Sequence, residues 1–573
     1  MLKKNTLLII LSGIVLLCCL PEIKAVSGNN VNPAIVNRIG ASLQGSGIKP
    51  NDGVYNVSDF GAVGDGIKLN TLAFQAAIDA CTKDGGGVVY VPAGDFLTGT
   101  IELKSNITLR LSPSARILGS KNKDDYVRGN GIPSGNGNMV LIYAVKANNL
   151  TIEGNGTING QGAAFYTGQG DGTSPVKSKN SDPNAPQPNR DRPHLMIFYL
   201  CDNLKIHDVF LTASAYHCMR ILQCTHVNFD GIRIYNRVNK NNDGFHFNSC
   251  ENVKIANCEV LCQDDACALF GSNKFVTVTN CTFSTRWSIF RFSSGESQNI
   301  CVSNCLIYDT YGCVVKIEAG NSRIENLTFS NIIMRNVTGP IGIGFTGGNN
   351  KTGAKDTATR EAFVRNIAFN GIRATVVSQP VNHPDIPFNV SVNNGEQNSC
   401  ITLNGLGNSY IENISFNDVQ VTYAGGGSAE LAAKKDIQQY SAEYFGVWNQ
   451  PPFGPPAYAM YARNVKGLTL NNVRFEVKSP DMRPAIIFDN VIDATLSNLS
   501  VQGNPQAETT LRFINSRDVL LSSPRLITPA TAFLQVEGAD SKGITLDGGD
   551  VTKAYKLLIF NNKATKEMIK VRE

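Results

Sequence analysis

The chain has 573 residues, of which 42% are hydrophobic and 17% are charged, and its formal net charge is +5. This composition supplies enough apolar surface for a large buried core. The net charge is small for the length and no dense basic run accompanies it, which argues against a dedicated nucleic-acid-binding protein.

The first 25 residues have the pattern of a secretory signal peptide. A lysine pair precedes an apolar run from Leu7 to Leu20, and Ala25 offers a small residue at a cleavage point. A lipid anchor on Cys18 or Cys19 is an alternative use of this segment. No later segment has about 18 uninterrupted apolar residues, so we expect no transmembrane segment and an exported, periplasmic or extracellular, protein.

The polar, glycine-bearing residues 26–50 are predicted to form an N-terminal leader. After them, Asn70 or Thr71 is predicted to cap a short amphipathic helix, which the glycine cluster at 85–87 ends. One face of this helix carries the apolar residues Phe74, Ala77, Ile78 and Cys81.

An internal repeat is the strongest fold signal. Its pattern is apolar-x-apolar-x-turn-apolar-x-apolar, as in Leu204 to Leu211. The turn residues are separated by 23, 26, 23, 24 and 27 positions: Asp208, Gly231, Asn257, Asn280, Asn304 and Asn331. Later copies have their turns at Gly371, Asp418, Asn472 and Asn498.

Each repeat unit contains two short alternating strands and cannot bury its apolar side alone. Stacking the units predicts an all-β, single-stranded right-handed parallel β-helix of about a dozen coils over residues 51–573, with the N-terminal helix capping its open end. A leucine-rich repeat is the competing solenoid, but the leucine consensus is absent.

The cysteines do not have a disulfide pattern. Thirteen of the 15 remain after the signal peptide, and an odd number cannot all pair. Cys258, Cys281 and Cys305 each follow an asparagine, at offsets of 23 and 24. This spacing predicts a ladder of small core residues rather than a metal site, and we expect neither metal nor cofactor.

Long insertions between repeats are predicted to lie on one side of the solenoid, at 161–193, 341–362, 376–400 and 422–458. The last contains the aromatic residues Tyr440, Tyr444, Phe445, Trp448 and Phe453. These side chains either stack on sugar rings beside a cleft or pack within the loops.

Three aspartates lie one repeat apart. The offsets from Asp243 are 21 to Asp264 and 22 to Asp265, close to the repeat period. Adjacent strands lie ~4.8 Å apart, so the three carboxyls are predicted to stack on neighbouring coils. Clustered carboxyls push their pKa values apart, which is how an acid and a base arise from one residue type.

Around these aspartates the chain resembles glycoside hydrolase family 28, the polygalacturonase family of pectinases, whose members are right-handed parallel β-helices. The specific matches are Asn241-x-Asp243-Gly244 and Gln263-Asp264-Asp265, and the resemblance covers most of residues 52–500. It implies that residues 51–573 form a catalytic domain that hydrolyses pectic polysaccharides or oligosaccharides with inversion. We expect the protein to be a monomer. Asp264 would donate a proton to the leaving oxygen, while Asp243 and Asp265 would activate water.

Two motifs depart from the family. The family's Gly-His-Gly motif is absent, and other residues, including Arg286, occupy its position. The offset of 22 from Asp264 places Arg286 on the coil above that aspartate. Its Arg-Ile-Lys appears as Lys316-Ile317-Glu318, in which an acid replaces one cation. The residues predicted to contact substrate are Asn241, His246, Arg286, Arg291, Lys316 and Glu318. The remaining histidines, His194, His207, His217, His226 and His383, have no metal-ligand spacing and are interpreted as structural.

Two other functions remain open on the same fold. A polysaccharide lyase would need a Lys or Arg base, for which Lys316, Arg291 and Arg286 are candidates. A non-catalytic glycan-binding β-helix would explain the missing family histidine, although retention of all three aspartates argues against it.

Overall fold

The computed structural model describes residues 53–133, 138–165, 192–345, 362–386, 394–396, 398–435, 437 and 448–572. The predicted signal peptide and leader lie outside the described residues, as do most of the insertion 161–193 and the aromatic residues Tyr440, Tyr444 and Phe445.

Helices are few and short in the described residues. Helix α1 spans Thr71–Lys83 and helix α2 spans Ala429–Ala432. Single 3-10 turns occupy Val57–Phe60, Lys123–Asp125, Gly162–Phe165, Asn394–Glu396 and Lys566–Met568. Within these described ranges, no helix is both long and apolar enough to cross a membrane.

Helix α1 buries the predicted apolar face, Phe74, Ala77, Ile78 and Cys81. Asn70 occupies the N-cap position, but its side chain makes no capping hydrogen bond. Instead it accepts from the Val63 amide at 2.8 Å and donates to the Val63 and Lys68 carbonyls. The predicted helix is therefore confirmed. The Asn70 side chain, however, stabilises the preceding loop instead of capping the helix.

The strands form three stacks, and every pairing between strands within them is parallel. The first stack contains Val54–Asn56, Gly87–Val91, Ile107–Leu111, Asn148–Glu153, Asp202–His207, Thr225–Asp230, Glu251–Ala256, Lys274–Thr279, Glu296–Tyr308, Arg323–Val337, Phe363–Val376, Ile411–Gly425, Met460–Ser479, Ile486–Ser497, Arg517–Ser522, Lys542–Asp547 and Ile569–Arg572.

The second stack begins separately and merges with the first in the middle of the chain, because the strands Glu296–Tyr308, Arg323–Val337, Phe363–Val376, Ile411–Gly425 and Met460–Ser479 run through both. Its separate strands are Gly94–Thr98, Ala115–Gly119, Thr157–Asn159, Phe210–Thr212, Arg233–Asn236, Glu259–Cys262, Thr282–Thr285, Ser500–Val501 and Arg525–Leu526.

The third stack contains the strands that follow the three aspartates. It contains Ile101–Glu102, Val140–Val145, His194–Tyr199, Met219–Leu222, Phe245–Asn248, Cys267–Phe270, Phe290–Ser293, Cys313–Ala319, Gly339–Phe345, Ile401–Asn404, Leu511–Ile514, Ala530–Glu537 and Ala554–Asn561, and the long strands Met460–Ser479 and Ile486–Ser497 continue it. A chain that passes repeatedly through parallel stacks is a parallel β-helix, as the repeat predicts.

The predicted turn residues set the bends between stacks. All ten have φ between 53° and 62°: Asp208, Gly231, Asn257, Asn280, Asn304, Asn331, Gly371, Asp418, Asn472 and Asn498. Glycine, asparagine and aspartate tolerate this left-handed region better than other residues, which is why they recur there. Neighbouring turn side chains also bond each other, as between Asn331 Nδ2 and Asn304 Oδ1 at 3.2 Å.

The interior is filled by columns of like side chains. Phe329, Phe369 and Phe416 stack with ring centroids 5.2 and 4.9 Å apart. Cys258, Cys281 and Cys305 form a second column, in which each thiol donates to the carbonyl two residues earlier at 3.1–3.2 Å. The 13 described cysteines are free thiols. The predicted cysteine ladder is therefore confirmed.

Candidate active site

The three aspartates lie in the turns that lead into strands Phe245–Asn248 and Cys267–Phe270 of the third stack. The register Phe245 to Cys267, extended backward, aligns Asp243 with Asp265. The Gly244 amide donates to the Asp265 carbonyl at 2.9 Å. A Cβ on Gly244 would lie 2.5 Å from the Ala266 carbonyl oxygen, so this close approach of the two coils requires glycine.

Asn242 fixes the turn that carries Asp243. Its side-chain oxygen accepts from the Val238 and Asn239 amides at 3.0 and 2.7 Å, and its Nδ2 donates to the Ser214 and Tyr216 carbonyls at 3.0 and 2.7 Å. The side chain is fully buried. It therefore satisfies backbone groups of its own turn and of the preceding coil.

Each aspartate has different partners. Asp264, which is half-buried, accepts from the Asp265 amide at 2.9 Å and from Asn241 Nδ2 at 3.2 Å. Asp243 is buried and lies 2.7 Å from His246 Nδ1. Asp265 is buried and is ion-paired with Arg291, with Nη1 and Oδ2 3.0 Å apart. The structure thus brings the three predicted carboxyls together in three distinct environments.

Burial and mutual repulsion favour the protonated forms of two of these carboxyls. Burial, followed by the charges of Asp243 and Asp265, raises the pKa of Asp264 to about 8. Burial, followed by the charge of Asp265, raises the pKa of Asp243 well above its usual range. The site can therefore hold a protonated carboxyl at neutral pH beside one that is paired with a cation.

Arg291, Lys316 and Glu318 form a charged cluster on the C-terminal side of the aspartates. Arg291 Nε and Nη2 lie 3.1 and 3.0 Å from Glu318 Oε2, and Lys316 Nζ lies 3.4 Å from Oε1. Burial alone would raise the pKa of Glu318, but the charges of Lys316 and Arg291 outweigh it and lower that pKa. Glu318 is thus a carboxylate between two cations.

Arg286 is not aligned with Asp264 in the way its sequence offset indicates. The register Cys267 to Phe290, extended backward, aligns Asp264 with Trp287. The Arg286 guanidinium donates to the Val381 carbonyl at 3.0 Å and lies 4.9 Å from the Tyr311 ring centroid. The predicted position one coil above Asp264 is wrong by one residue because this coil has 23 residues rather than 22 at that point. Arg291, rather than Arg286, is the arginine that pairs with one of the three aspartates, Asp265.

Sequence reasoning missed His217, which it interpreted as structural. The His217 ring stacks on His246 at 4.7 Å between centroids, and its Nδ1 lies 3.7 Å from Asp243 Oδ2. Burial lowers the pKa of His246 to about 4 and that of His217 well below its usual value, so both rings are neutral at pH 7. The interpretation of His217 as a structural histidine is therefore corrected, because its ring lies beside Asp243.

His217, Asp243 and His246 also have ligand atoms within 4.8 Å of one another, the geometry a metal ion needs. The positive charges of Arg192, Arg220 and Arg291 act on the same Asp243 carboxyl. Arg192 and Arg220 oppose the binding of a further cation, and burial disfavours the ionised Asp243 that a metal would need, so this donor set is poorly suited to a divalent metal.

Two further arginines, Arg192 and Arg220, also belong to the site and were missed. Arg192 donates to the Lys240 carbonyl at 2.7 Å and to Asn241 Oδ1 at 3.1 Å, and its guanidinium lies 4.5 Å from the Tyr216 ring centroid. Arg220 is the register partner of His246 on the preceding coil. The position of Arg220 could have been found from the sequence, because Arg220 precedes His246 by 26 residues and the repeat turns Gly231 and Asn257 are separated by the same number.

The insertion 422–458 contributes little exposed aromatic surface in its described part. Trp448 is fully buried, donates to Thr402 Oγ1 at 3.3 Å and packs edge-on against Tyr461. Phe453 is exposed. Loop packing, rather than sugar stacking, is therefore the role of Trp448.

Comparison with known proteins places these features in a family. A model of glycosyl hydrolases family 28 matches residues 81–437, more than half of the chain. A probable polygalacturonase of Vitis vinifera is 32% identical over 246 residues, 40% of this chain and 47% of that protein. An exo-poly-alpha-D-galacturonosidase of Dickeya chrysanthemi is 27% identical over 387 residues, 60% of this chain and 61% of that protein.

Among solved structures, a family 28 exopolygalacturonase of Yersinia enterocolitica is similar with a TM-score of 0.53 and 20% identity, covering 77% of this chain and 78% of that one. This likeness supports the β-helix fold. The match spans about half the length of the grapevine relative.

Proposed function

Because the chain belongs to glycosyl hydrolase family 28, we propose that it cleaves glycosidic bonds in galacturonate-containing pectic polysaccharides or oligosaccharides, with inversion, after export from the cell. The observation that carries the proposal is the half-buried Asp264, whose pKa is raised to about 8 beside two further carboxyls. A carboxyl that is protonated at neutral pH is what a glycosidase needs to donate a proton to the leaving oxygen.

In the proposed mechanism, Asp264 is the general acid, and Asp265 and Asp243 act on the water that attacks the opposite face of the sugar. Asp265 accepts from this water, whereas Asp243, whose pKa is raised by burial, positions it as a hydrogen-bond donor. The Arg291 guanidinium lies 3.0 Å from Asp265 Oδ2 and fixes the position of this carboxyl group. His246 Nδ1 lies 2.7 Å from Asp243 Oδ2 and holds this carboxyl in place, while the His217 ring stacks on His246. Asn241 binds Asp264 Oδ2 and so orients the acid.

The lyase alternative is less well supported by the same contacts. Its base would be an uncharged Lys or Arg, and both Lys316 and Arg291 are ion-paired with Glu318. An ion pair stabilises the protonated cation and opposes its use as a base.

The test is incubation of the purified protein with polygalacturonan, rhamnose-containing pectin and a neutral arabinan, followed by proton NMR of the first products. We expect saccharides with an inverted anomeric centre. An unsaturated uronate that absorbs in the ultraviolet would instead identify a lyase, and binding of a pectic chain without any cleavage would identify a non-catalytic protein.

The Asp264→Asn variant tests the assigned acid. Activity should fall about 10²–10⁴-fold, the scale of losing an acid catalyst. Asp208→Asn is the matched control, because Asp208 lies in a left-handed turn where other coils carry asparagine. A folded Asp264→Asn protein with the turnover of the Asp208→Asn control would contradict the mechanism.

A further inference from the structure

The cations around the aspartates fall into two groups that differ in how their charge is balanced. One row of side chains in the third stack carries Arg220, His246, Ala268, Arg291 and Lys316 at successive register positions. His246 contacts Asp243 and Arg291 contacts Asp265. The row therefore faces the same side of the coil as the carboxyls, because alternate residues of a strand point to one face.

On the C-terminal side of this row the charges are matched. Arg291 and Lys316 contribute two cations, and Asp265 and Glu318 contribute two carboxylates, with each cation within 3.4 Å of a carboxylate oxygen. A uronate carboxylate approaching this end would meet Glu318 at close range, so the end has no excess positive charge to offer it.

On the N-terminal side the charge is not matched. Arg220 is half-buried, and its Nε and Nη1 are excluded from solvent without a hydrogen-bond partner among the described residues. Arg192 adds a second cation nearby, and both act on Asp243, the carboxyl that its surroundings drive toward the protonated form. A buried guanidinium with unsatisfied donors is costly unless an anion binds to it.

Arg192 is less available than Arg220 for a new ligand. Two of its nitrogens are already bound to the Lys240 carbonyl and to Asn241 Oδ1, and its plane packs on Tyr216. These contacts hold Arg192 in place as a fixed positive charge. Arg220 is thus the half-buried side chain whose guanidinium still has unbonded donors to offer a carboxylate.

We propose that Arg220, supported by the fixed charge of Arg192, binds the carboxylate of a uronate unit on the N-terminal side of Asp243, and that the sugar beside Glu318 is neutral. This inference rests on the proposed function, because it assigns the substrate positions on either side of the same aspartates. The substrate class is then a pectic chain in which an acidic and a neutral sugar flank the cleaved bond.

The experiment measures binding in the Asp264→Asn background, so that no ligand is consumed. The probes are tetragalacturonate and its carboxyl-reduced counterpart, galactotetraose, titrated by calorimetry into the parent and into Arg220→Gln. We expect Arg220→Gln to weaken tetragalacturonate binding about 10- to 100-fold, the scale of a lost charge-assisted pair. Galactotetraose binding should change less than about threefold, because it has no carboxylate to lose.

Two controls isolate the effect. Arg233→Gln removes an exposed arginine that pairs with Glu259 on another stack, and should leave both affinities unchanged. Arg220→Lys keeps the charge but not the planar fork, so it should restore part of the tetragalacturonate affinity. Equal weakening of both probes in Arg220→Gln, or no weakening of either, would overturn the proposal.

The parent protein gives an answer even if the Arg220 variants do not fold. It should bind tetragalacturonate at least about tenfold more tightly than galactotetraose, with an advantage that shrinks as salt is raised. Equal affinities would overturn the carboxylate site. Failure of the proposed function is recognised separately, by the absence of hydrolytic products from the wild-type protein.

Discussion

Arg291 binds Glu318 with two of its nitrogens, Nε at 3.1 Å and Nη2 at 3.0 Å from the same carboxylate oxygen. The acid that replaces a family cation is therefore held inside the site rather than turned away from it. It pairs with both Arg291 and Lys316 at the position where the family resemblance implies a second cation for galacturonate. Substrate preference should depend on this one charge.

We expect the wild type to cleave rhamnose-containing pectin faster than unsubstituted polygalacturonan. Glu318→Gln should raise the relative kcat/KM on polygalacturonan about tenfold, because removing the carboxylate releases donors for a substrate carboxylate. Glu259→Gln, which removes an exposed carboxylate paired with Arg233, is the control. A wild type that prefers polygalacturonan, together with a Glu318→Gln variant whose ratio of rates is unchanged, would contradict this role of Glu318.

Activity should fall as the pH rises through about 8. The general acid must be protonated in the free enzyme, and the pKa of Asp264 is raised to about 8. The charge of Arg291 lowers this pKa, so Arg291→Gln should move the alkaline limb of kcat/KM to higher pH while reducing the maximal rate. A profile whose alkaline limb is the same in both proteins would contradict the coupling of Arg291 to the acid.

Asp264→Asn should be more stable than the wild type at neutral and alkaline pH. A carboxyl with a raised pKa in the folded state contributes stability below its unfolded pKa of about 4 and loses that contribution as the pH rises through the folded value. The neutral amide does not titrate. The melting temperature of Asp264→Asn should therefore exceed that of the wild type by an amount that grows between pH 4 and pH 8 and then levels off. A difference that does not vary with pH would argue against a buried, protonated Asp264.

Gly244→Ala should lower activity and stability together. A Cβ there would lie 2.5 Å from the Ala266 carbonyl oxygen and 2.6 Å from Val260 Cγ1, so two adjacent coils must separate. We expect a loss of about 1–3 kcal/mol in the free energy of unfolding, with a large loss of rate because Asp243 and Asp265 move apart. Gly344→Ala is the matched control, since its nearest atom would lie at an ordinary 3.4 Å. Comparable stability of the two variants would contradict the argument.

The sequence predicts most of the fold, because the solenoid repeats its local rules. Asn257 and Asn280 occupy turns that only a few residue types tolerate, so their spacing sets the strand boundaries. It also predicts that Asp243 and Asp265 are neighbours, since they are one coil apart. It cannot supply the exact coil length at each point, and one extra residue moves Arg286 away from the aspartates. His217 and Arg220 lie 26 residues before Asp243 and His246, the interval from Gly231 to Asn257, so the repeat places them one coil away, but it does not show which contacts their side chains make with Asp243.

The buried thiols have a consequence for how the protein can be followed in solution. Twelve of the 13 described cysteines are buried, and Cys301 is exposed. A thiol reagent should therefore modify Cys301 quickly in the native protein and reach the remaining thiols only when their coils open. Since the buried cysteines are distributed from Cys81 to Cys400, mass spectrometry of the labelled peptides would report the order in which successive coils come apart.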